Sequence, residues 1–335
     1  MRYGEPMPEA GLSDLRQVGR LTHLIRSQTV DDVRRAWDYL DAPGRSVAGF
    51  IDQREALRHG WADVAVARDD ALLLDYAAES MASLAADSAA AARDALARLP
   101  RRDLLVVHLR NADDPDGVLA AAEDAWAMHA YLPCSQVAYF GDTVPVPERP
   151  DLRLEQLDAT WTDVVASHYS LGLGTDYARQ RLAAGVVLGA FLDDAEPGPV
   201  TFPGAPSATA SSPTTSPLTT PLPTTLSRMT PPHPAGHRAG TLVGFIGSHE
   251  EGSMGMLEVF PQYRRRGIGE YLTLAYASRL LAKGRVPWSQ VIAGNDASLA
   301  MQRKWGFTVA PERIAWLHPA ATGEMPARAE EAHAA

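Results

Sequence analysis

Arg264, Arg265 and Arg266, followed at once by Gly267 and Gly269, are the residues best suited by type and spacing to chemistry. A short β-type run, Met256-Leu257-Glu258-Val259-Phe260, meets a turn at Pro261, and a helical pattern begins just after Gly269. A turn of this kind aims several backbone N–H groups at one point, beside the positive end of a helix dipole. Glycines without Cβ let an anion approach the main chain, and guanidinium groups add charge where phosphates sit. The pattern reads as a pyrophosphate cradle made by the N–H groups from Arg265 through Gly267, Ile268 and Gly269 to Glu270, with Arg264 beside them.

Two commoner phosphate motifs are absent. A dinucleotide fold needs G-x-G-x-x-G directly after a strand, and a P-loop needs G-x-x-x-x-G-K-[ST]. Neither stands here.

The elements that position the cradle follow from periodicity. Tyr271, Leu274, Ala275, Leu281 and Ala282 form an apolar stripe on a helix from Glu270 to Lys283, stopped at Gly284. Val286 to Ala293 reads as a strand. Asn295 or Asp296 suits the start of a helix running to Trp305 and broken by Gly306. A last strand begins at Phe307-Thr308-Val309 and continues at Ile314-Ala315-Trp316-Leu317 after a turn at Pro311.

This order, with Arg264-x-x-Gly267-x-Gly269, Asn295-x-x-Ser298 and Lys304-Trp305-Gly306-Phe307, resembles the second half of a GNAT acyltransferase domain. Leu152 to Leu192 resembles the first half, with a strand at Leu152–Leu154, helices through Ala166 and Arg181, and a strand from Val186 to Leu192. Within the superfamily the chain is most similar to the glycine N-acyltransferase-like branch. The residues that carry this are Pro261-Gln262-Tyr263-Arg264, Ala300-Met301-Gln302 and the run Leu173 to Arg181. The resemblance implies an α/β fold, with a mixed, mostly antiparallel sheet flanked by helices. It also implies an acyl-CoA-dependent N-acyltransferase, with acetyl-CoA or another acyl-CoA as donor, a small-molecule amine such as an amino acid as acceptor, and no metal.

The same resemblance assigns residues. Leu257 and Val259 lie on the strand that splays from its neighbour, so that the pantetheine arm of the donor pairs with it. Asn295 and Ser298 face that arm. Many relatives place a glutamate base early in this strand; Ser253 stands there instead, with His249, Glu250, Glu251 and Glu258 as nearby substitutes. Many carry a tyrosine acid where this chain has Gln302, which cannot release a proton at neutral pH. Catalytic candidates are therefore Glu258, Ser253 and Gln302. Trp161, Tyr169 and Tyr177 lie in the segment that shapes the acceptor pocket in the fold, although core packing explains each of them as well.

The whole chain bounds the reading. Its 335 residues suffice for two domains: 1–150, an α/β half resembling a degenerate GNAT fold, and 151–320, the acyltransferase domain, with a flexible tail at 321–335. In the first half Leu12–Arg26 and Val30–Leu40 look helical, and Ala71–Leu99 is alanine-rich. Leu104–Leu109 and Gln136–Phe140 read as strands, with a helix between them at Asp116–Tyr131. No second Arg-x-x-Gly-x-Gly occurs there, which argues against a second CoA site. A net charge of −10 disfavours nucleic acid. A single cysteine, Cys134, allows no intramolecular disulfide and no cysteine metal cluster. Met1–Arg20 lacks a signal-peptide core and no run of eighteen apolar residues occurs, so a cytoplasmic protein without a membrane span is expected.

Between Pro197 and Gly236 lie eleven prolines and fourteen serines or threonines, with Arg228 the only Asp, Glu, Lys or Arg. Such composition cannot offset chain entropy, so a disordered insertion is expected, either tolerated at the surface or docking a partner. It separates the strand ending near Leu192 from Thr241–Gly247, which should pair as a hairpin.

Noncatalytic acyl-CoA sensing, a carrier-protein or aminoacyl-tRNA donor, and protein acetylation are the competing readings.

Overall fold

The computed structural model describes residues 29–110, 114–169, 171, 174–192 and 240–319. The helix expected at Leu12–Arg26, the proline-rich segment 197–236 and the tail from 321 lie outside these residues.

Helix α1, Val30–Leu40, starts where the sequence places it, capped by Thr29 and Asp32, each of whose side chains accepts from the other's backbone N–H. Helix α2 (Ile51–His59) is followed by strands β1 (Asp63–Arg68), β2 (Ala71–Tyr76) and β3 (Met81–Ala86), helix α3 (Ala89–Leu96) and strand β4 (Leu104–Leu109). The alanine-rich stretch is thus two fully buried strands and one short helix. Helix α4 (Val118–Trp126) is shorter than expected, because Ala127 turns left-handed at φ 50° and strand β5 (Met128–Ala138) begins at once. Pairing in the sheet overrides the local helical pattern there.

The second half contributes β6 (Leu152–Gln156), α5 (Thr162–His168), α6 (Gly174–Ala183), β7 (Val187–Leu192) and β8 (Thr241–Ser248). Then come β9 (Met254–Val259), α7 (Ile268–Leu281), β10 (Trp288–Ile292), α8 (Asp296–Lys304) and β11 (Thr308–Pro319). The expected hairpin is present, with Leu192 opposite Thr241. The turn expected at Pro311 is instead an irregularity inside one long strand, between Val309 and Arg313. Proline donates no ladder bond, so an unpaired bulge is where a strand accommodates it.

Two sheets result. One has the order β6-β7-β8-β9 and is wholly antiparallel; the other runs β1-β2-β3-β4-β11-β5-β10. In the second, β11 lies between β4 and β5, and β5 lies between β11 and β10. Strands from the end of the chain therefore complete the sheet that the first half starts. The only parallel pair among the described residues, β3 with β4, is paired continuously from Met81–Leu104 to Ala85–His108. Beside it, buried Asp52 meets His108 Nε2 at 3.0 Å and accepts from Ser83 Oγ at 3.2 Å. No slot opens between β3 and β4.

Candidate active site

Between β9 and β10 the arrangement is different. Each is an edge strand of its own sheet, and no ladder joins them. A cavity of about 850 Å³ lies here. The β8–β9 hairpin lines it with Ile246, His249 to Glu251 and Ser253 to Leu257, and β10 with Ser289 to Ile292. Helix α8 adds Asn295, Ser298, Met301 and Gln302, and the first half of the chain supplies Glu79, Met81, Tyr131 and Cys134 among others.

The pairing of β8 with β9 shifts between Phe245 and Gly247, where Met256 adopts φ 52°. A bulge of this kind re-aims the strand at a functional edge. Leu257 lines the cavity, and Leu257 and Val259 both pack partly buried against the core beneath α7.

Next to this edge lies the segment that the sequence marks as a cradle. Gly267 caps α7 with φ 73° and no side-chain cap bond, so the first-turn N–H groups stay open to an external acceptor. A Cβ on Gly269 would touch Val259 Cγ2 at 3.5 Å, so this glycine lets helix and strand pack closely. Arg264, Arg265 and Arg266 are exposed, with Arg265 left-handed at φ 62°. Glu270 is held by Lys304 at 2.7 Å and by the Trp305 indole at 2.6 Å, which fixes the end of α8 against α7. Arg149, which no sequence pattern marks, donates to the Arg266 carbonyl at 3.1 Å and so lies beside this segment.

Residues 235–317 match the FR47-like protein family model. This match contains both the Arg264–Gly269 cradle and Asn295–Ser298, and it supports placing the chain in the GNAT superfamily. The chain is also similar to a Drosophila protein of solved structure, at 15% identity over 88% of this chain and 98% of that one, with a TM-score of 0.52. A putative GNAT-family acetyltransferase from Novosphingobium aromaticivorans is similar at 14% identity over 86% of this chain and 97% of that one, TM-score 0.41. A tandem GNAT protein from the clavulanic acid pathway is similar at 15% identity, over 88% and 96%, TM-score 0.41. Likeness at such identities concerns the fold alone, and of these three only the Drosophila protein, with a TM-score above 0.5, bears on it. The fold is an α/β arrangement of mixed sheet and flanking helices, as the GNAT resemblance implies. No curated protein matches the chain.

On this GNAT frame the catalytic candidates separate. Glu258 sits on the face of β9 opposite Leu257 and Val259, buried outside the cavity lining, with Oε1 3.0 Å from Arg264 Nη2. The same guanidinium donates from Nε to the Val259 carbonyl at 3.0 Å. Ser253 lies in the cavity and donates to Glu251 Oε1. Gln302 also lines it, accepting from Ser289 Oγ at 2.8 Å and donating to Ser298 Oγ at 3.3 Å, so it ties α8 to β10. Asn295 uses its side chain to cap α8 on Ser298 N at 3.1 Å.

Glu251 is the carboxylate the cavity holds most deeply. It is 3% exposed, and burial pushes its carboxyl up to about 7 against the pull of the Ser253 hydroxyl; Glu250 and Asp52 add to the rise. His249 is lowered to about 4, by burial first and Arg181 second, and is neutral. Its Nε2 meets Tyr169 OH at 3.2 Å and its Nδ1 meets Tyr177 OH, so both ring nitrogens are engaged. Burial also raises the Tyr169 and Tyr177 hydroxyls, which stay protonated. Trp161 is fully buried core. Cys134 is pushed up to about 12 by burial and behaves as a small apolar group.

Among the described residues no cluster of His, Cys, Asp or Glu could hold a metal ion, and no helix is long and apolar enough to cross a membrane.

Proposed function

We propose that the protein is an acyl-CoA-dependent N-acyltransferase that acylates a small primary amine, with acetyl as the expected acyl group. The observation that carries this reading is the unpaired edge of β9 facing β10, with the cradle at one side and buried Glu251 lining the same cavity.

In this reading the donor pyrophosphate rests on the N–H groups from Arg265 to Glu270, with Arg149, Arg265 and Arg266 nearby. The pantetheine arm runs between β9 and β10 past Leu257, Asn295 and Ser298. The donor supplies an acyl thioester. Glu251 takes a proton from the acceptor ammonium, because a carboxylate near 7 is half-ionised close to the working pH. His249, held near 4, is too weak a base for this step. The free amine forms the C–N bond as the C–S bond breaks, and the proton shed by the attacking nitrogen reaches the departing thiolate through water. Gln302 keeps α8 in register with β10. The glycine N-acyltransferase-like branch is part of this reading, carried by Pro261–Arg264 and Ala300–Gln302.

Thermal shift with free CoA and with acetyl-, propionyl-, benzoyl- and long-chain acyl-CoA tests it. A ligand at one hundred times its Kd adds about 2.7 kcal/mol of stability. Stabilisation that Gly267→Asp abolishes, together with thiol release in the presence of amines, supports the reading. No shift with any donor rejects it.

A further inference from the structure

The cavity walls carry one sign of charge. Glu79, Glu250 and Glu251 line it, and no arginine or lysine does. Arg181 reaches this wall from outside the lining, with Nε 3.5 Å from Glu250 Oε1. Glu79 has no arginine or lysine in ion-pair contact among the described residues. Its carboxyl is raised by burial first and by Glu250 second, with Arg181 pulling the other way. With Glu251 assigned to the reacting amine, Glu250 and Glu79 share the single charge of Arg181, and one net negative charge remains. Tyr131, Tyr169, Tyr177 and Trp316 supply aromatic faces around it, and such faces favour ammonium groups.

This wall has a definite origin. Glu79 ends a one-turn helix, Ala77–Glu79, between β2 and β3, so the first half of the chain supplies the group that faces the hairpin tip at Glu250. The tip is pinned there, because Gly252 accepts from Arg285 Nη2 at 2.7 Å and lies against Trp61.

We infer that the acceptor is a diamine-class molecule, with a second positive charge and no carboxylate, and that Glu79 with Glu250 recognises the second ammonium. This rests on the acyltransferase reading and narrows it away from the amino acids that the branch resemblance implies. An amino acid carboxylate entering this cavity would meet glutamates and find no guanidinium or ammonium to pair with, a repulsive arrangement that discriminates against it.

The test uses the full chain with acetyl-CoA and three four-carbon amines: 1,4-diaminobutane, butylamine and 4-aminobutanoate. They differ only in carrying a second ammonium, no charge or a carboxylate at the far end. We expect kcat/KM for the diamine at least tenfold above butylamine, and 4-aminobutanoate lowest. Calorimetric binding of the same amines should follow the same order and does not require turnover. In Glu79→Gln the diamine-to-butylamine ratio should fall toward one in both assays; the half-buried turn position makes a folded variant attainable, checked by its Tm. Equal or better use of 4-aminobutanoate, a ratio unmoved by Glu79→Gln, or no amine binding at all would overturn the inference. Ordered amine binding with no thiol release would instead sink the acyltransferase reading and leave the recognition intact.

Discussion

The Ser253 hydroxyl donates to Oε1 of Glu251, so the position where the resemblance puts a carboxylate supports one two residues upstream. The pair lies at the turn between β8 and β9, closed by His249 N to Ser253 O at 3.0 Å and Gly252 N to His249 O at 3.1 Å. The proposed base and the proposed donor strand are thus parts of one hairpin, and β9 sets the distance from Glu251 to Leu257.

Glu251→Gln should lower kcat by about a hundredfold and remove a rise in rate centred near pH 7. The same change alters stability in a set direction. Glu251 binds its proton more tightly when folded than when unfolded, so its stabilising contribution is complete below the ordinary carboxylate range and is lost as pH rises through about 7. Glu251→Gln should therefore raise Tm at pH 8 and change it little at pH 4. A scanning calorimeter reads both.

Ser253→Ala should act on the pH profile and leave the rate plateau nearly intact. The hydroxyl stabilises the charged form of Glu251, so its loss moves the acidic limb to higher pH, by up to about one unit. A plateau that collapses, with an unshifted limb, would mean that Ser253 touches the reacting groups itself.

Glu258→Gln separates the two carboxylates. Glu258 is committed to Arg264 and faces away from Leu257, so kcat and the pH limb should stay within about threefold of the parent. The donor KM should change instead, since Arg264 loses one of its anchors beside the cradle. Initial-rate kinetics at varied acyl-CoA measure this, and loss of the pH limb would return the base to Glu258.

How much of this was legible beforehand depended on sequence distance. A turn, two glycines and a helix start within a few residues are all local, so the conformation of Arg264 to Glu270 could be read directly. A helix start at Asn295 or Asp296 was readable for the same reason, and the structure makes Asn295 the cap. Glu79, Tyr131 and Arg149 come to the site from other strands and turns, and no short-range pattern marks them. Glu251 and Glu258 are equally acidic in sequence; only the hairpin turn and the pleat of β9 decide that one enters the cavity and the other meets Arg264. The helix expected at Asp116–Tyr131 overran for a related reason, because β5 is needed as a strand by β11, about 180 residues later.

That long-range pairing yields the last prediction, on stability. Glu312 in β11 accepts from the Ser46 N–H at 2.9 Å and from the Ser46 hydroxyl at 2.6 Å, and it is 5% exposed. Farther along, buried Glu55 accepts from the Val286 N–H at 3.0 Å. With β11 inserted between β4 and β5, neither half can complete the seven-stranded sheet alone. Cleavage at a site engineered into the stretch 141–150 should therefore leave two fragments that co-elute on size exclusion and melt in one transition. Gly49→Ala probes the same tie from the other side. A Cβ there would lie 2.2 Å from Glu312 Oε2, so the carboxylate must move and its bonds to Ser46 must weaken. A loss on the order of 1–3 kcal/mol is expected for disturbing a buried, hydrogen-bonded carboxylate. Because the sheet is shared, the loss should appear at one midpoint whether unfolding is followed by total tryptophan fluorescence or by hydrogen exchange in β1–β3. Fragments that separate and melt independently would show that each half carries its own fold.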